Sequence, residues 1–219
     1  MFALFCGALH AQSPASFPPV RFTVFSGQHV KGVTFVPRAN IPPVTLAFQP
    51  TARSARYEYR GAMPVRFMDS ESGKPVAEAN IPAGMQNALL LFSPIDPAKA
   101  GTSALRYQVS VLDDGGGRHG PDGLAIINLS GLALSGTVNK QSVTLKSGLN
   151  PTLPVGRAAT TKFSTMFKQR THQSYTGNVT LGRNERALLI LFPPFYAGSL
   201  EVQSRLLVDQ PPAPVAVTR

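Results

Sequence analysis

The residues with the most chemical potential lie in one short stretch, Asp113-Asp114-Gly115-Gly116-Gly117-Arg118-His119-Gly120-Pro121-Asp122-Gly123. Asp113, Asp114 and Asp122 form a weak candidate loop for a hard cation such as calcium, which takes roughly six to eight oxygen ligands. Their spacing does not follow the alternate-position pattern of a helix–loop–helix calcium site, and the competing reading is a polar hinge. His119 stands between the acids, but His10, His29 and His172 are far from it in sequence, and no His-x-x-x-His pair exists. No Gly-x-Ser-x-Gly elbow occurs. The triple glycine lacks the lysine and helix of a phosphate-binding loop. The single cysteine, Cys6, falls within an expected export signal, so the mature chain offers no thiol nucleophile. These absences point away from an enzyme, and no catalytic residue, cofactor or resident metal is expected.

The second chemical feature is positive charge. Lys and Arg number 21 against 11 Asp and Glu, a net charge of +10. The excess is spread over both halves: 10 basic and 6 acidic residues up to Asp113, then 11 and 5. Such a field favours polyanions, and its plainer reading is a generally basic, soluble surface. Within Arg53 to Arg66, period-two geometry puts Arg56, Glu58 and Arg60 on one strand face and Tyr57 and Tyr59 on the other. The tyrosines are expected in the core, with the arginines solvated. Lys162, Lys168 and Arg170 form a similar outward row. Arg56, Arg60, Lys168 and Arg170 are therefore the candidate polyanion-binding residues. Asn128-Leu129-Ser130 and Asn178-Val179-Thr180 match the glycosylation triplet, to which no function is attached.

The elements that must carry these residues are strands. Tyr107, Val109 and Val111 alternate with Arg106, Gln108 and Ser110. Val202, Leu206 and Val208 alternate with Gln203 and Arg205, and Phe163, Thr165 and Phe167 with Lys162, Ser164 and Lys168. This is the signature of antiparallel strands with one face in a core and one in water. Ala88 to Phe92 and Ala187 to Phe192 are continuously apolar, which predicts central strands or strands covered on both sides. No helical period extends over a useful length. The 20 prolines and 19 glycines suit short strands joined by turns.

The chain also resembles itself. Ala88-Leu89-Leu90-Leu91 recurs 99 residues later as Ala187-Leu188-Leu189-Ile190, and Val44-Thr45-Leu46 as Val143-Thr144-Leu145. Pro94 matches Pro193 at the same offset, and Phe25-Ser26-Gly27 resembles Leu129-Ser130-Gly131 at an offset of 104. Common order through two halves predicts a duplication. The expected fold is all-β: two tandem antiparallel β-sandwich (immunoglobulin-like) units, residues 18–113 and 124–209. Residues 114–123 form a Gly-rich linker and 210–219 a Pro-rich flexible tail.

Residues 2–9 are apolar and precede Leu9-His10-Ala11, so residues 1–11 read as a signal peptide cut after Ala11. The absence of a basic residue before the run suggests a start codon lying further upstream. No stretch reaches the ~18 consecutive apolar residues of a transmembrane helix. The expected location is periplasmic or secreted. Two sandwiches, basic charge, export and this length resemble the gross plan of periplasmic pilus chaperones, in size and architecture alone; their strand motifs and basic cleft residues have no aligned counterpart here. The expected role is a non-enzymatic binding or structural module of the cell envelope, with an anionic polymer or an envelope protein as partner. No specific nucleic-acid recognition is expected. The alternatives are an envelope-polymer hydrolase or metal-dependent enzyme, which requires a cleft where His119 or His172 meets acids, and a self-assembling surface-layer or filament subunit.

Overall fold

The computed structural model describes residues 17–96 and 105–212; the expected signal peptide and the end of the expected tail lie outside them. The described chain is all-β, with no helical segment. The first unit contains β1 (Val20–Ser26), β2 (Val33–Phe35), β3 (Val44–Thr45), β4 (Tyr57–Tyr59), β5 (Val65–Asp69), β6 (Pro75–Ala79), β7 (Asn87–Pro94) and β8 (Tyr107–Asp113). The second contains β9 (Gly123–Asn128), β10 (Leu134–Val138), β11 (Gln141–Leu145), β12 (Gly148–Leu149), β13 (Leu153–Pro154), β14 (Ala158–Phe167), β15 (Arg170–Thr180), β16 (Arg186–Pro194) and β17 (Val202–Asp209).

Each unit is a sandwich of two sheets. In the first, the sheets run β4-β1-β7-β8 and β3-β2-β5-β6; in the second, β12-β9-β16-β17, with β13 also on β9, and β11-β10-β14-β15. The eight strands of the first unit and the nine of the second follow one order, with β12 and β13 together in the edge place that β4 holds. Two features refine the expected immunoglobulin-like, antiparallel plan. One pair in each unit is parallel, β1 with β7 and β9 with β16, and in each the first strand lies next to the penultimate one.

Register tests the sequence matches position by position. Leu46 and Leu145 both sit against the strand that follows the first, and both are buried. Ala88 and Ala187 also occupy matching places, opposite Phe22 and Leu124. The Phe25 match is different. Leu91 pairs with Phe25, and its counterpart Ile190 pairs with Ile127, so Phe25 corresponds to Ile127 at an offset of 102 and not to Leu129.

Three cores stack in series. Phe22, Val24, Phe35, Phe67, Leu90 and Phe92 pack inside the first sandwich. Ile126, Leu134, Phe163, Leu189 and Leu191 pack inside the second. Between the units lies a third core of Phe25, Leu89, Leu91, Ala125, Ile127, Leu188, Ile190 and Leu207. The molecule is therefore a four-layer stack in which sheets β4-β1-β7-β8 and β12-β9-β16-β17 face each other. This explains the continuous apolar runs: on β7 the even-numbered residues from Ala88 to Phe92 fill the first sandwich, while Leu89 and Leu91 fill the seam.

The seam uses equivalent positions from both units, Phe25 with Ile127, Leu89 with Leu188, Leu91 with Ile190 and Leu112 with Leu207. It is an isologous contact within one chain, as in a two-fold dimer. Two expectations about strand faces fail. On β17 the expected core residue Val208 is 41% exposed, whereas its neighbour Leu207 is 1% exposed in the seam. On β14, Phe167 is exposed at the hairpin end and Ala159, Thr161, Phe163 and Thr165 are the buried set.

Candidate functional site

At one end of the seam the chain folds its charges inward. Arg186 opens the apolar β16 run and is wholly buried. Its Nη2 donates to both carboxylate oxygens of Asp114 at 3.0 Å, and its Nε and Nη2 donate to Asp209 at 3.0 and 3.1 Å. Its Nη1 donates to the carbonyls of Asp114 and His119. Arg53, from the connection between β3 and β4, donates through Nη1 to Asp114 Oδ1 at 2.5 Å, sharing that oxygen with Arg186, and its Nε lies 3.5 Å from Asp209. Two cations and two anions thus cancel inside the protein. Arg53 Nε and Nη2 lack a hydrogen-bond partner among the described residues.

The two acids are equivalent by fold. Asp114 follows β8 opposite Asn87, as Asp209 closes β17 opposite Arg186. Asn87 occupies the place that Arg186 takes in the second unit, so one guanidinium serves both acids.

This arrangement corrects the cation-site reading. Asp114 has both oxygens occupied by guanidinium groups. Asp113 accepts the Gly115 amide and pairs with Arg118. Asp122 is an exposed residue with positive φ whose backbone holds Glu185, Val155 and Gly156. The hinge reading fails as well. Asp114 and His119 are 4% and 5% exposed, and the connector is clamped by Arg186 and by the Thr152 hydroxyl on the Arg118 carbonyl.

His119 Nε2 donates to the Ala187 carbonyl at 2.8 Å. Burial, reinforced by the Arg186 and Arg53 charges, lowers its pKa to about 4. It is neutral at pH 7 with that nitrogen occupied, a poor match for a general base near neutrality. A pocket of about 340 Å³ adjoins the cluster, walled by Leu89, Leu112, Ala125 and Leu188. Its Asn150 holds Lys146, Gly148 and Ile126 backbone groups, while Arg53 Nε and Nη2 are its buried polar atoms without a hydrogen-bond partner among the described residues. His172 lies on β15 in the most distant sheet, edge-on to Phe167.

The opposite end of the seam is built differently. Here the strands run out into Phe92-Ser93-Pro94 and Phe192-Pro193-Pro194, and a cleft of about 540 Å³ opens between the units. At its wall the Phe192 ring tip lies close against Gly27, where a Cβ would fall 2.7 Å from Phe192 Cζ. Gln108 and Gln203 occupy equivalent positions on β8 and β17, as do Ser110 and Arg205. Gln203 donates to the Pro193 carbonyl. The side chains of Gln28, Gln108, Ser93 and Ser110 make no hydrogen bond to a described residue. Arg205 donates to the Ser204 carbonyl and forms no ion pair with a described residue, and no acid is among the described residues lining the cleft. Immediately beyond it, Phe195 and Tyr196 are each 72% exposed, ring against ring at 4.9 Å. Amides, hydroxyls and one guanidinium thus stand beside aromatic rings at this opening.

The sequence-predicted basic residues do not assemble. Arg56 and Arg60 flank β4 in a seam-facing sheet of the first unit, and Arg60 is paired with Glu58 at 2.8 Å. Lys168 and Arg170 sit at the β14–β15 hairpin of the outermost sheet of the second unit, with Lys168 and Gln169 in a positive-φ two-residue turn. The seam-facing sheet of the second unit lies between these two groups. Tyr57 and Tyr59 pack on the first core as expected, and the Tyr57 ring lies 5.6 Å from both Phe22 and Phe35.

No family model matches the chain, and no curated protein matches it.

Proposed function

We propose that this chain is a non-enzymatic, exported binding module of the cell envelope, whose two units arose by duplication and act as one body. The observation that carries the reading is the contrast between the ends of the seam. At one end Asp114, Asp209, Arg186 and His119 are bound to other parts of the protein, while at the other polar side chains of both units line one cleft, those of Gln28, Ser93, Gln108 and Ser110 with no hydrogen bond to a described residue. Hydrolysis would need a nucleophile or water positioned by a base of suitable pKa, and neither His119 nor His172 is held in such a way. Edge strands β8 and β17 border the cleft, which places backbone as well as side chains within reach of an extended ligand.

The test is retention of the mature chain on immobilised envelope polymers across a salt gradient, with the wild type beside Gln108→Ala/Gln203→Ala. Loss of retention in the double variant, at unchanged thermal midpoint, supports the cleft. Equal retention removes it. Release of new reducing or amino ends from the polymer would instead establish the hydrolase alternative.

A further inference from the structure

The cleft has a chemical character that narrows its ligand, and the inference drawn from it rests on the cleft being the binding site. Among the described residues its polar lining is mostly uncharged: two serines and three glutamines, against the cation Arg205. Glutamine amides and serine hydroxyls both donate and accept, which suits ligands dense in hydroxyl groups. Phe92 and Phe192 add apolar surface, and the Phe195–Tyr196 pair stands directly after the lining residue Pro194. Exposed aromatic rings offer faces to flat apolar groups, including the C–H faces of sugar rings. The missing element in a neutral ligand would be a partner for Arg205, whose planar fork fits a carboxylate.

We propose that the cleft and its Phe195–Tyr196 rim bind an anionic polysaccharide strand, with a sugar ring on the aromatic pair, hydroxyls on Gln108, Gln203 and Ser110, and a carboxylate on Arg205. Charge complementarity supports this occupant: the described lining of the cleft holds no acid, and the chain as a whole carries +10. A phosphodiester chain without sugar rings would leave the glutamine amides, serine hydroxyls and the aromatic rim unused. The equivalence of Gln108 and Gln203 lets both units hold one strand. The replacement of Ser110 by Arg205 across the pseudo-axis fixes which end of a charged ring faces which unit.

The probe is a galacturonic acid hexamer, titrated calorimetrically into the mature chain, with its fully methyl-esterified form and inorganic polyphosphate as comparisons. The acid form is expected to bind at least tenfold tighter than the ester. Arg205→Gln should remove that difference, and Tyr196→Ala should weaken both forms at least fivefold. A slope of log affinity against log salt near one is expected, because one ion contact is made. The Arg56→Gln/Arg60→Gln/Lys168→Gln/Arg170→Gln variant should bind within twofold of wild type. Both Arg205 and Tyr196 are exposed, so thermal midpoints should hold and loss of binding is not loss of fold.

Three results overturn the proposal: no binding of the hexamer, equal binding to Arg205→Gln and Tyr196→Ala, or polyphosphate binding as tightly and failing with the quadruple variant. If the hexamer fails while Gln108→Ala/Gln203→Ala still abolishes retention on envelope polymers, the cleft remains the site and only the ligand class is wrong.

Discussion

Replacing Arg186 with methionine should be the most damaging single change in the ionic cluster. The side chain is wholly buried and makes four hydrogen bonds to two carboxylates and two to carbonyls. Summing about 2 kcal/mol for each charged bond would overshoot, because taking the guanidinium out of water offsets most of that gain. The relevant quantity is the cost of leaving partners behind, about 3–5 kcal/mol for a broken buried pair. Two features argue for the lower end: Asp114 keeps Arg53 at 2.5 Å, and Asp209 is 26% exposed and can recruit water. The expected loss is therefore about 3 kcal/mol.

For a chain of this size that corresponds to a fall of roughly 6–12 °C in thermal midpoint. Urea unfolding at pH 7 measures it directly. Asp114→Asn, alone and combined with Arg186→Met, completes a cycle whose coupling should fall between about 0.5 and 3 kcal/mol, as for residues in direct contact. High salt should leave the effect largely intact, since buried pairs are weakly screened. A loss below about 1 kcal/mol, or additive variants, would refute the claim that this cluster locks the two units together.

Acid should weaken the protein through His119. Its folded pKa of about 4 lies below the ordinary 6.5, so the neutral form is favoured by folding; stability is fully present above pH 6.5 and declines as pH falls toward 4. The loss between pH 7 and 4.5 should be about 2–3 kcal/mol larger in wild type than in His119→Gln, measured by urea unfolding at both values. Gly136→Ala should be poorly tolerated, because its Cβ would fall 1.9 Å from the Lys162 carbonyl on the paired strand; soluble yield and thermal midpoint should both drop, whereas Gly84→Ala meets no atom and is limited only by its positive φ. Leu188→Ala, which opens the seam without touching either sandwich core, should cost about 2–4 kcal/mol and keep a single cooperative transition. Two separate transitions in the wild type would show that the seam does not couple the units.

Much of the fold was legible because strand signals are local. Alternation at Tyr107, Val109 and Val111 marks a core face, and those residues do pack on the first core. The apolar runs of β7 and β16 pointed to strands covered twice. The identity of their second cover was not local information, since it requires knowing that two units meet face to face. That is why Val208 was assigned to the core face, while its neighbour Leu207 fills the seam. The latch left a faint trace, an arginine directly opening an apolar strand at Arg186-Ala187-Leu188. Arg53 left none, being one of several arginines in a basic stretch. The cleft residues Gln108, Gln203 and Arg205 were visible as polar strand positions, but convergence on one opening is a property of the packed seam. The acidic loop was conspicuous for composition, and composition could not reveal that its carboxylate faces inward.

The four-layer stack also constrains the order of events as the chain is made. Synthesis proceeds from the amino end, and domains generally fold as they emerge. When β8 is complete, the first sandwich can close, but Phe25, Leu89 and Leu91 then face solvent with no cover. Their cover comes from Ala125 through Leu207, so the last of it arrives almost a whole unit later. At roughly 5–20 residues per second, that interval lasts from about 5 to 20 seconds. During it, a nascent chain presents a sticky face matched in shape to another copy's second unit. Exchange of halves between neighbouring molecules is the characteristic error that such a design must outrun.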